Sequence, residues 1–390
     1  MNNAKKSLVP HRRFKEFQNA GAWEQRKLED ISIINPKSVI PEHFKYVDLE
    51  SVVGTDLISF IETDKNSAPS RAQRVARTGD IFYQTVRPYQ KNNYLFTLKD
   101  KDYVFSTGYA QIRSDVDNAF LMSYLQNENF VQTVLRHSTG TSYPAISPSD
   151  LAKISVFIPK KQKEQLKIGK AFSNIDNLIT LHQRKLNKLK KLKSAYLTEM
   201  FPDEGEHKPK RRFAGFTDDW EQRKLGDVVE RFDNLRIPVT SSKRKRGITP
   251  YYGANGIQDY VQGYTHDGEF VLVAEDGAND LQNYPIHYVN GKVWVNNHAH
   301  VLQGKKDIAD NLFLVNAIKR IKFETYLVGG SRAKLNADVM MKLPIKMPKL
   351  NEQQKLGKYF SRIDTLIALH QRKIDKLQKL KNAYLNEMFV

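Results

Sequence analysis

Two stretches of this chain, 164–201 and 352–389, are near copies of each other. EQLKIGKAFSNIDNLITLHQRKLNKLKKLKSAYLTEMF and EQQKLGKYFSRIDTLIALHQRKIDKLQKLKNAYLNEMF agree at 27 of 38 positions, and neither contains a proline. In the first, apolar or amphipathic residues fall alternately four and three apart, at Ile168, Phe172, Ile175, Ile179, His182, Leu186, Leu189, Lys193, Tyr196 and Met200. The second repeats this with Leu356, Phe360, Ile363, Ile367, His370, Ile374, Leu377, Lys381, Tyr384 and Met388. A period of 3.5 residues is that of a coiled-coil seam. Any fold of this chain must therefore accommodate two helices of roughly 57 Å each, at 1.5 Å per residue, and bury two matching seams. The simplest solution packs one helix on the other. An antiparallel pair would set the segments that precede the helices at opposite ends, related by a pseudo-two-fold axis.

A second, shorter repeat frames those segments. WEQRKLED (23–30) is echoed by WEQRKLGD (220–227), PHRRF (10–14) by PKRRF (209–213), and GTS (140–142) by GGS (329–331). The unit is a basic lead-in, a Trp block, a variable domain and a constant helix, and it occurs twice. The expected boundaries are a first domain over 1–161, a spacer helix over 162–201, a polar linker over 202–212, a second domain over 213–349 and a second spacer helix over 350–390. In the first variable domain FKYVDLESV, GDIFYQTVR, NNYLFTL, YVFSTGYAQIR and KISVFIP read as strands, and 118–137 as one helix. In the second, YYGANGIQDYV, GEFVLVAEDG, IHYVNGKVWVNNHAHVL and KLPIKMP read as strands, and 310–321 as a helix. The fold class is α+β, with curved sheets and few helices.

Charge narrows the function. The 390 residues carry a formal net charge of +19, the pI is about 9.6, and there is no cysteine. Such an excess points to a polyanion, nucleic acid first. The absence of cysteine removes disulfides and thiolate metal sites. No apolar run approaches the ~18 residues of a membrane span, and the N-terminal stretch lacks a signal-peptide pattern, so a cytoplasmic address and no membrane partner are expected.

Polar, aromatic and basic side chains gather where loops are expected, and these types contact base edges and phosphates. In the first domain the candidates are Arg71, Arg74, Arg77, Gln84, Arg87, Tyr89, Lys91 and Asn92, with Thr141, Ser142 and Tyr143. In the second they are Lys243, Arg244, Lys245 and Arg246; Tyr251, Tyr252, Asn255 and Gln258; Asn279; Asn296, Asn297, His298 and His300; and Ser331, Arg332 and Lys334. A nuclease-like PD…ExK lies within PDEGEHK (202–208), but all its groups sit in one linker, whereas that chemistry needs them on adjacent strands. His298 and His300 share a strand face as a metal pair could. Without an evident third ligand, contact with DNA or core hydrogen bonding is the stronger reading, although Glu275 or Asp276 could fold in. His182 and His370 read as paired seam residues. No phosphate-binding loop of the G-x-x-x-x-G-K-[ST] type is present, and no Asn/Asp-Pro-Pro-aromatic motif of amino-methyltransferases. No catalytic residue or metal site is therefore expected.

The duplicated EQ…IDxLIxLHQRKxxKLxxLKxAYLxEMF segment, FTDDWEQRKLGD (216–227) with its partner, and the variable–constant–variable–constant order together resemble the specificity subunit of type I restriction–modification enzymes. YYGANGIQDYV and VNNHAHVL resemble target-recognition domains of that family. The resemblance covers essentially the whole chain. It implies a non-catalytic DNA-reading scaffold for double-stranded DNA, two modification subunits that methylate adenine and two restriction subunits. Each variable domain would read half of a split target, and the helices would set the gap and dock the modification subunits. S-adenosylmethionine, ATP and Mg would belong to the partners. The competing readings are a self-contained DNA methyltransferase or nuclease, and a basic coiled-coil scaffold that binds nucleic acid without sequence preference.

Overall fold

The computed structural model describes residues 8–100, 102–329 and 333–390. The chain forms two compact units, Met1–Arg184 together with His370–Val390, and Lys185–Leu369. The constant segments are single helices, Gln162–Glu199 and Leu350–Met388, so each unit contains the first part of one helix and the last part of the other.

In the first unit the two helical parts run antiparallel. The Phe172 and Phe389 rings lie 5.4 Å apart, Lys381 Nζ donates to Asp176 Oδ1 at 2.6 Å, and the Nδ1 atoms of His182 and His370 are 2.9 Å apart. The second unit repeats the arrangement, with Tyr196 against Tyr359 at 5.7 Å, Phe201 against Phe360 at 5.9 Å and Lys193 Nζ on Asp364 Oδ1 at 2.5 Å. Every seam position named above is buried or half-buried. The two seam lysines are consistent with this, since each lies along the seam while its ammonium reaches a carboxylate.

The short repeats belong to the same frame. Strand Glu24–Lys27 of the first Trp block pairs antiparallel with Ser155–Ile158, and Glu221–Lys224 of the second with Pro344–Met347. Each Trp block thus pairs with the strand that leads into a constant helix. Trp23 is wedged edge-on between Phe120 and Phe389, and Trp220 likewise between Phe201 and Phe313. The second arginine of each lead-in makes a two-pronged ion pair: Arg13 with Glu164 at 2.6 and 2.8 Å, and Arg212 with Glu352 at 2.7 Å twice. The glutamines that follow bond back to the prolines before the helices, Gln165 to Pro159 O and Gln353 to Pro348 O. A Cβ on Gly169 would meet Asp117 Oδ1 at 2.4 Å and Phe120 N at 2.6 Å. On Gly357 it would meet Asp310 Oδ1 at 2.5 Å and Phe313 N at 2.8 Å. Both glycines let a constant helix touch the capped N-terminus of the domain helix beside it, Asn118–Leu125 or Asn311–Ile318.

On this frame the first variable domain builds two four-stranded sheets. One runs Ile61–Asp64, His43–Val47, Tyr103–Ser106, Ala72–Val75. The other runs Ser32–Ile34, Tyr109–Ser114, Ile81–Gln84, Tyr94–Leu95. Phe82 stacked on Phe105 at 3.6 Å belongs to an aromatic core. The second domain builds one six-stranded sheet in the order Val229–Arg231, Ala299–Gly304, His266–Ala274, Ile286–Val295, Arg246–Gly253, Gly256–Val261.

Two expectations are corrected. The helix read over 118–137 is two helices, Asn118–Leu125 and Glu128–Arg136. Asn127 breaks it because its side chain caps the second helix at Asn129 N and donates to Leu385 O at 2.6 Å. Of NNYLFTL only Tyr94–Leu95 is strand. The stretch read as a polar linker, 202–212, holds no helix or strand and is tied to the second unit: Lys346 Nζ donates to the carbonyls of Asp203 and Glu206 at 2.6 Å each, and Trp220 N to His207 O.

Candidate nucleic-acid interface

The two variable domains differ in sheet plan, yet one loop pair is built identically in both. In the first unit the chain leaves strand Ile81–Gln84 and bridges Val86 to Ala145. Ala145 exchanges both backbone bonds with Thr139, and Ile146 N donates to Thr85 O. In the second, the chain leaves strand His266–Ala274 and bridges Asp276 to Lys334. Lys334 exchanges both bonds with Val328, and Leu335 N donates to Glu275 O. The scaffold places 86–92 beside 140–144, and Asp276 beside Lys334. These loops hold many of the residues singled out from the sequence.

In the first unit Arg87 takes the left-handed conformation (φ 54°), as does Lys91 (φ 57°). For residues other than glycine this costs on the order of 1–3 kcal/mol each and persists only where the surroundings enforce it. Here Arg87 N is held by Pro144 O at 2.7 Å, and the guanidinium lies 4.4 Å over the exposed Tyr143 ring. Asn92 Oδ1 accepts from Gly54 N, and Lys91 pairs with Glu128 at 2.6 Å. Tyr89, Thr141 and Ser142 are exposed. Arg71, Arg74 and Arg77 lie elsewhere, along the edge strand Ala72–Val75 and its ends. Arg71 and Arg77 are exposed and Arg74 is half-buried.

In the second unit Asn255 ties the loop from both sides, donating to Gly277 O at 2.9 Å and accepting from Asn279 N at 3.0 Å. His298 Nδ1 lies 2.5 Å from Asp276 Oδ1. Beneath sits a charged cluster. His300 faces Leu335 O with Nε2, so that nitrogen carries hydrogen. Its Nδ1 is 2.7 Å from Asp233 Oδ2 and 3.6 Å from Glu275 Oε2. Arg236 reaches Glu275 at 2.6 Å, and Lys334 reaches it at 3.0 Å. Burial works against ionising Asp233 and Glu275, but hydrogen bonds from His300 to the first, and from Arg236 and Lys334 to the second, hold both below the usual carboxylate range. Asp233, Glu275 and His300 are close enough to share a cation. Arg236 and Lys334 already supply the positive charge, so the arrangement reads as an ion-paired support under the loop.

A second basic group surrounds Arg246–Gly253. Lys243, Lys245 and Arg246 are exposed, while Arg244 stacks 4.0 Å over Tyr251 and reaches Asp259 at 3.4 Å. Tyr252 is half-buried near His287, and Gln258 and Asn297 are exposed.

Four sequence candidates are inside the protein and are corrected accordingly. Gln84 is buried and bonded to Gln90, Tyr251 donates to Val239 O, Asn296 Oδ1 accepts from His298 N, and His300 sits in the ion cluster. Their role is to shape loops. Ser331 and Arg332 lie outside the described residues. The supports that sequence reading missed, Asp233 and Arg236, gave no local signal, because their partners are as far as 68 residues away.

The chain thus carries two equivalent loop pairs, with different residues at equivalent points, on a strongly basic protein. Comparison with known proteins shows the family. The type I restriction modification DNA specificity domain family matches residues 21–191 and again 217–379. The chain belongs to this family and carries its domain twice. A type I restriction enzyme specificity subunit of Haemophilus influenzae is 46% identical over 149 residues, 38% of each chain. The MjaX specificity subunit of Methanocaldococcus jannaschii is 24% identical over 283 residues, covering 68% of this chain and 65% of that protein. These matches span less than two thirds of either relative's length. The crystal structure of the type I restriction–modification S subunit from M. genitalium superposes with a TM-score of 0.74 over 98% of this chain and 99% of that one, at 14% identity, and thus shares the fold. Among the described residues no helix is long and apolar enough to cross a membrane.

Proposed function

We propose that this chain is the DNA-reading subunit of a type I restriction–modification assembly and performs no chemical step itself. Each variable domain reads one part of a split duplex target, and the two constant helices hold the parts at a set separation and dock modification subunits, two per chain, with two restriction subunits beyond them. S-adenosylmethionine, ATP and Mg act on those partners. One observation carries the reading: the same loop-pair scaffold occurs once in each unit, built on duplicated framing elements but filled with different side chains. A protein reading two unlike half-sites on a duplex needs repeated support and unrepeated contact residues.

The test is methylated-adenine mapping across the genome of host cells with and without this chain, followed by exchange of residues 213–348 for another family member's second domain. Methylation should vanish without the chain, and the exchange should alter one half-site while leaving the other intact. Loss of both half-sites together, or methylation independent of the chain, refutes the proposal.

A further inference from the structure

Within this reading, particular side chains of the loop pairs must choose the bases. Among the described residues, most cations of the two loop pairs are already committed. Lys91 is on Glu128, Lys334 on Glu275, and Arg244, beside the strand Arg246–Gly253, is on Asp259. Arg87 differs. No carboxylate pairs with it among the described residues, and its Nε is buried without a hydrogen-bond partner. Its guanidinium lies 4.4 Å above Tyr143, itself 63% exposed. The backbone beneath is fixed by the Pro144 O bond and the Val86–Ala145 bridge, and it stays left-handed at a residue that has a side chain. The equivalent position in the second unit, after the Asp276–Lys334 bridge, is Gly277 at φ 67°, with no side chain at all. The scaffold therefore requires the left-handed turn in both units, while an arginine occupies it in only one.

We propose that Arg87 is a specificity-determining residue of the first half-site, reading a guanine edge with its two-pronged guanidinium, and that Tyr143 positions it. The chemistry is that of a planar fork matched to guanine O6 and N7. Stacking on the Tyr143 ring removes the rotamer freedom a free arginine would lose on binding. Absence of an internal carboxylate leaves the Nη donors unspent. The proposal rests on the function proposed above, and its test separates the two.

Arg87→Lys, Arg87→Gly and Tyr143→Ala are introduced into the full chain in its host, and methylated adenines are mapped against wild type. Arg87→Lys keeps the charge and loses the fork. Arg87→Gly keeps the turn, relaxes it and removes the side chain. If Arg87 reads guanine, both Arg87 variants methylate a wider set of sequences, relaxed at a single G·C pair of the first half-site by about ten-fold or more. The second half-site and the gap stay unchanged, and Tyr143→Ala relaxes the same pair to a lesser degree. A Tyr143 role confined to folding would lower methylation at every site alike without changing base preference. Should an Arg87 variant fail to accumulate, the other and Tyr143→Ala carry the same expectation. Unchanged base preference in methylation-competent variants overturns the assignment while leaving the proposed function standing. So does a loss of affinity with a salt slope smaller by about one and no change in preference, which marks a phosphate contact. Wild-type methylation that does not depend on the chain overturns both.

Discussion

Replacing Gly169 by alanine sets two physical effects against each other, and the structure says which wins. In the interior of an exposed helix, Gly→Ala ordinarily stabilises by about 1 kcal/mol. At Gly169 the added carbon would lie 2.4 Å from Asp117 Oδ1 and 2.6 Å from Phe120 N. Those two atoms form the capping hydrogen bond of helix Asn118–Leu125, at 2.8 Å. The new methyl must disturb that cap, a cost of about 0.5–2 kcal/mol, and push the two helices apart, at about 1–3 kcal/mol for overpacking. Together these exceed the helix-propensity gain, so Gly169→Ala should destabilise by roughly 0.5–4 kcal/mol. In a unit of this size that lowers the melting midpoint by about 2–4 °C per kcal/mol. Gly357→Ala should act alike in the second unit, where the contacts are with Asp310 Oδ1 and Phe313 N. Gly21→Ala, with nothing within 4 Å of the added carbon, is the control and should be neutral or slightly stabilising. Thermal or guanidinium denaturation followed by circular dichroism compares the three. A Gly169→Ala variant as stable as Gly21→Ala would refute the close-approach argument.

Three further outcomes are expected. Arg13→Ala strands the Glu164 carboxylate, whose side chain is 1% exposed, and should cost about 3–5 kcal/mol, whereas an Arg13→Met/Glu164→Leu double variant should recover most of it; equal losses in urea titrations would contradict the ion-pair account. Burial pushes His266 below its ordinary value, so its contribution is present above the unfolded value near 6.5 and is lost as pH falls through the lowered folded value. Stability of the second unit should decline from pH 7 towards 5, less steeply in His266→Asn, and a denaturation profile identical for variant and wild type would contradict this. DNA affinity of the assembled methylase should fall steeply with salt, by about 0.9 log unit per log unit for each phosphate neutralised; a slope near zero would remove nucleic acid as the partner.

Much of this protein is legible in the sequence because its signals are local or repeated. A 3.5-residue period without proline specifies a buried helical seam wherever the helix lies, and the structure buries or half-buries each residue of it, from Ile168 to Met200 and from Leu356 to Met388. Duplication reveals which segments are frame, because Arg13 and Arg212, Trp23 and Trp220, and Gly169 and Gly357 do the same work twice. What the Trp blocks do was not legible: the pairing of Glu24–Lys27 with Ser155–Ile158 joins segments about 130 residues apart, and nothing in EQRK names its partner. The break at Asn127 was hidden for a similar reason, since the carbonyl it binds, Leu385 O, lies 258 residues away. Among the candidate site residues, sequence could rank side chains by what they can bind but not by which way they face. Gln84, Tyr251, Asn296 and His300 have the right chemistry and lie inside, whereas Arg87 and Tyr143, 56 residues apart in the chain, meet because a bridge between Val86 and Ala145 brings their loops together. Periodicity and repetition are properties of neighbouring residues and survive in one dimension. Burial and the pairing of distant loops depend on how the whole chain closes on itself, and only the tertiary structure decides them.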